Sequence, residues 1–116
     1  MCKEGAGAVE SMQVRVVVTG KNIHAGPFYR TTVKHEAVFL RKLKGSLTEE
    51  ASSGTTEIIV AGPKNKVEGF VRWVQRGPGL AQQVDVKSVD YSSIISPEIL
   101  KLSDDHPFVE KNIINQ

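Results

Sequence analysis

A chain of 116 residues, 40% apolar and 24% charged, is long enough for one hydrophobic core and too short for two comfortable ones. Fifteen Lys and Arg against 13 Asp and Glu leave a net charge of +2, too weak a field to define a nucleic-acid surface, and no apolar run approaches the length of a bilayer span. The single cysteine, Cys2, excludes an internal disulfide and sets the expectation of a reducing, cytoplasmic setting.

Residues 1–12 lack both the apolar stretch of a secretory signal and the Arg-rich make-up of a transit peptide, and with Gly5 and Gly7 they read as a flexible leader. In residues 13–19, Val14, Val16 and Val18 alternate with Arg15, Val17 and Thr19, the period of a strand with one face on a core. The connection that follows, G-K-N-I-H-A-G-P-F-Y-R over residues 20–30, leads into a helix and sets Arg30 about one turn inside it. Backbone N–H groups at a helix start, the positive end of the helix dipole and a guanidinium together favour an anion. Gly26 and Pro27 suit a helix start equally well with nothing bound. The helix is expected over 27–42, with Val33, Ala37 and Leu40 as its buried stripe and His35 on the opposite face. Because His24, His35 and His106 have neither ligand-like spacing nor thiol partners, no metal site is expected.

Residues 43–50 and 55–61 read as two strands joined by a small polar turn, the second with Thr56, Ile58 and Val60 on one side. Gly62-Pro63 closes the second of these strands. A helix over 66–76 follows, with Asn65 as its cap, Glu68 completing a capping box, and Val67, Phe70, Val71 and Val74 as its buried stripe. Trp73 falls at the edge of the stripe, and Gly77-Pro78 stops the helix. Residues 82–89 form a fourth strand and 108–113 an optional fifth. The order βαββαβ predicts a ferredoxin-like α+β sandwich over 13–113, with two helices on one face of an antiparallel sheet and a short tail at 114–116. That topology serves enzymes, sensors, metal carriers and RNA binders alike. An RNA reader needs exposed aromatics on its central strands with a basic surround, and Val, Ile, Thr and Glu stand there instead, so no nucleic-acid partner is expected.

Three stretches carry a family signal: F-Y-R at 28–30, G-T-T-E-I-I-V-A-G-P-K-N-K-V-E-G-F-V-R-W-V-Q-R-G-P at 54–78, and E-I-L-K-L-S-D-D-H-P-F-V from Glu98. Over residues 13–109 the chain resembles the acylphosphatases, whose recurring pattern is a strand, G-x-V-Q-G-V-x-F-R, a helix, G-W-V-x-N, a hairpin and a second helix ending near a G-P pair. The resemblance implies hydrolysis of an acyl phosphate to carboxylate and phosphate, with no metal or other cofactor. By that resemblance Arg30 and the loop at Gly20, His24, Ala25 and Gly26 would hold the phosphate. The fit is partial, because the loop is two residues longer than the family pattern and Pro27 offers no N–H. In the second motif, K-G-S-L-T-E, Gly45 matches the glycine, Ser46 stands at the tryptophan, and Glu49 falls at the asparagine that positions the attacking water.

Several readings of Glu49 stay open at this stage. It opposes an anion, or neutralises Arg30, or serves as general base for water, or is simply a solvated strand end; Asn22 on the enlarged loop is a further candidate for handling water. Arg30, Glu49 and Asn22 are therefore the candidate catalytic residues. The expectation is an acylphosphatase-like monomer, away from membranes, that acts as a non-catalytic or weakly active module for a phosphate-type anion or an interaction partner. The alternative is an active acylphosphatase.

Overall fold

Val14, Val16 and Val18 of β1 (Ser11–Gly20) are fully buried, and the rest of the sheet is laid against that strand. The computed structural model describes residues 10–20, 28–50, 53–76 and 84–113. After β1 come α1 (Phe28–Lys34), running directly into a π-helical turn (His35–Leu40), then β2 (Lys44–Glu50), β3 (Thr55–Pro63), α2 (Lys64–Arg76), β4 (Val84–Ser92), the short α3 (Pro97–Leu100) and β5 (Phe108–Ile113). The strands form one sheet in the order β4-β1-β3-β2-β5. All pairs are antiparallel except β2 with β5, so the optional fifth strand is present and makes the sheet mixed rather than purely antiparallel.

The two longer helices cover one face. α2 packs over β1, β3 and β4, while the π turn lies over β2. The expected stripe of α2, Val67, Phe70, Val71 and Val74, meets the valines of β1 and Leu47, Ile58 and Val60 in a single core, with Trp73 at its margin against Phe70. On the other face the segment after β4 crosses the start of the sheet, where Ser96 N–H donates to Gln13 Oε1 at 2.9 Å and Ile99 is buried. This ferredoxin-like α+β arrangement is the one the order of elements predicts.

Four details differ from the sequence expectation. β1 begins at Ser11, and Ser11 and Met12 pair with Pro63 and Gly62, so these residues belong to the sheet and β3 continues through Gly62-Pro63 instead of stopping before them. α2 starts at Lys64, which puts Asn65 inside the first turn rather than at its cap. β4 holds a bulge: Val18 pairs with Val86 but Val17 with Ser88, so Lys87 is an extra residue and the inward phase passes from Val86 to Val89. Leu40 is 58% exposed although Val33 and Ala37 are fully buried. The cause is the π turn, in which each turn takes one residue more than in an α-helix, so the apolar face recurs later and Leu40 rotates outward. The turn closes through Arg41 N–H to the Glu36 carbonyl at 3.1 Å, Lys42 N–H to Val38 at 3.2 Å and Leu43 N–H to Ala37 at 2.8 Å. Lys42 takes a left-handed conformation (φ 57°), where glycine usually ends a helix.

Candidate functional site

Near the end of the sheet where β1 finishes, the register places Val86, Val18, Thr56, Glu49 and Asn112 in one row across five strands. Glu49 and Thr56 are direct cross-strand partners on the face that carries the core, so their side chains are close neighbours. The first turn of α1 brings Arg30 onto this row. Arg30 Nη1 donates to Glu49 Oε1 at 2.8 Å, with the arginine side chain 27% exposed and the glutamate 3%. The reading of Glu49 as a solvated strand end is thereby overturned: alternation turns its carboxylate inward, and the neighbouring Glu50 instead accepts a hydrogen bond from Ser53 Oγ at 2.8 Å.

A charge-assisted bond of this kind is stronger than a neutral one and offsets part of the cost of withdrawing a carboxylate from water. Guanidinium carries five N–H donors in a planar fork, so Arg30 is not exhausted by one contact with Glu49. Any anion arriving at Arg30 nevertheless meets a negative charge already in place.

Of the residues the sequence singles out, the structure brings Arg30 and Glu49 together, and Gly20 ends β1 opposite Val84. Asn22, His24, Ala25 and Gly26 lie outside the described residues. Gly45 has a clear packing reason, since a Cβ there would fall 2.0 Å from the Ile59 carbonyl oxygen and 3.0 Å from Val60 Cα. Ser46 is buried on the opposite face from Glu49, in register with Ile59 and Val109, and so takes no part in the row. Sequence reasoning missed Thr56 as a site neighbour. Its hydroxyl is fully buried and has no hydrogen-bond partner among the described residues. The signal was available: a four-residue turn at 51–54 pairs Glu50 with Thr55 and therefore Glu49 with Thr56. Among the described residues no group of three His, Cys, Asp or Glu is arranged to hold a metal ion, and none of their helices is long and apolar enough to cross a membrane.

Fold and site together define a small α+β sandwich with a half-buried arginine paired to a buried carboxylate at the head of its first helix. The chain belongs to the acylphosphatase family, whose model matches residues 14–99. It is similar to the crystal structure of an acylphosphatase from Bacillus subtilis, at 29% identity and a TM-score of 0.63 over 85% of this chain and 97% of that one. An acylphosphatase from Coxiella burnetii matches at 24% identity and a TM-score of 0.59, over 87% and 93% of the two chains. The BLUF protein BlrB shares the fold alone, at 10% identity and a TM-score of 0.62 over 90% of this chain and 74% of that one. A search of curated protein sequences returned no significant match.

Proposed function

We propose that this acylphosphatase-family chain is a non-catalytic or weakly active module whose phosphate-clamping arginine is neutralised from within by Glu49. The observation that carries this reading is the 2.8 Å bond between Arg30 and a glutamate whose side chain is 3% exposed. An acyl phosphate would have to share Arg30 with a fixed carboxylate. At about 5 Å and an effective dielectric near 20, that carboxylate repels each unit of phosphate charge by roughly 3 kcal/mol, about a hundredfold in affinity. In addition, a glutamate at the asparagine position offers no N–H to a water or a phosphate oxygen, so the polar contact it makes is of the wrong sign for stabilising a transferring phosphoryl group.

The test is benzoyl phosphate turnover, with inorganic phosphate binding followed by calorimetry. For the unaltered protein, turnover at background and phosphate binding too weak to measure are expected. Glu49→Asn should strengthen phosphate binding about tenfold or more and bring turnover above background, and adding Arg30→Ala should abolish both. Robust turnover by the unaltered protein that Glu49→Asn destroys would instead make Glu49 a general base and the chain an active acylphosphatase.

A further inference from the structure

The opposite pole of the sheet, five residues along β2 from Glu49 and so roughly 16 Å away, carries two cavities, one beside each face, that both reach Lys44. The first, of about 300 Å³, opens between the π turn and the approach to β5, against Val38, Phe39, Leu43 and Pro107. The second, of about 160 Å³, lies against Ala61, Ile95, Ile99 and Leu100. Lys44 lines both, and Lys42 and Asp104 stand at the first. Along this strip Phe39, at the first cavity, is 61% exposed and Leu100, at the second, 66%. Next to Phe39 the π turn leaves Leu40 58% exposed, and Lys42 keeps a left-handed conformation that favours glycine. Irregular helical turns and strained non-glycine residues are found disproportionately where a protein makes contact with something else.

Lys44 is the chemical centre of the strip. Its ammonium donates to the Leu102 carbonyl at 3.1 Å and lies 3.4 Å from Asp104 Oδ1, whose side chain is 98% exposed. An ion pair so open to water contributes little, and a carboxylate from outside can take the place of Asp104. Two separate hollows with apolar side chains in their walls, on either side of one cation, suit an extended chain better than a compact small molecule.

We propose that this strip docks a segment of a partner protein in which two apolar side chains flank an acidic one. The apolar groups fill the two cavities and the carboxylate replaces Asp104 at Lys44, with Lys42 adding a second positive charge. The occupant is thus set by charge and by the pairing of the hollows, independently of what happens at Arg30.

The full chain serves as bait for a displayed library of random nonapeptides, and the enriched consensus peptide is then synthesised with a fluorophore for anisotropy. Enriched sequences should carry Asp or Glu between apolar residues. Lys44→Glu and Leu100→Ser should each weaken the consensus peptide about tenfold or more, whereas Lys87→Glu on the remote β4 should leave it unchanged. Lys42→Glu, at an exposed position, provides the same charge test should Lys44→Glu fail to fold by circular dichroism. No enrichment, a consensus without an acid, or equal binding by the charge-reversed variants overturns the proposal. So does sedimentation showing a dimer that Lys42→Glu dissociates, because a second copy would then cover the strip.

Discussion

Arg30 and Glu49 join the first turn of α1 to the end of β2 through one charge-assisted hydrogen bond. With the glutamate withdrawn from solvent, the pair is an internal commitment rather than a surface contact. Arg30→Ala is therefore expected to lower stability by about 2 kcal/mol in urea unfolding, because it takes the guanidinium away from a carboxylate withdrawn from water, while the isosteric pair Arg30→Met with Glu49→Leu should recover most of that loss. Tyr91 gives a second test at this scale. Burial, then the Glu68 carboxylate, hold its hydroxyl above the ordinary value of 10.0, with Arg72 acting in the other direction. A folded-state pKa raised in this way contributes stability below the unfolded value, and that contribution is lost as pH rises through the folded one. Melting temperature should accordingly fall more steeply above pH 10 in the unaltered protein than in Tyr91→Phe, when both are followed by circular dichroism.

The first helix marks the boundary of what the sequence disclosed. Its apolar spacing located Val33 and Ala37 correctly, and the stripe of α2 was legible in full, because both follow from regular α-helical periodicity. Nothing in H-E-A-V-F-L announces a turn closed five residues back, so Leu40 was assigned to the core and found in water. The same limit applies to the site. Residue types and resemblance singled out Arg30 and Glu49, but only tertiary geometry shows the two in contact, and Thr56 emerged only once strand register was fixed. The helix end itself offers a measurement. Lys42 stands at a left-handed position, so Lys42→Gly should relieve strain and raise stability by about 0.5–1 kcal/mol, seen as a higher urea midpoint at unchanged slope.

At the scale of the whole molecule, element order and the resemblance predicted the sandwich, and register added what a linear pattern lacks: the direction of β5 and the bulge in β4. Glu49 and Lys44 stand toward opposite ends of β2, so the Arg30 pair and the two cavities lie at opposite poles of one sheet. The bulge has a further consequence. Among the described residues β4 is an outer strand with one row of backbone groups unclaimed by the sheet, the kind of template on which misassembled fibres grow. The supernumerary Lys87 breaks the regular spacing of that row and carries an exposed charge, so a second molecule finds neither a continuous ladder nor a neutral surface to extend. Deleting Lys87 should straighten the strand and leave the monomer folded yet prone to precipitate on standing, with thioflavin fluorescence and light scattering rising together. A single inserted residue at the margin of the sheet would then be what keeps concentrated solutions of this protein clear.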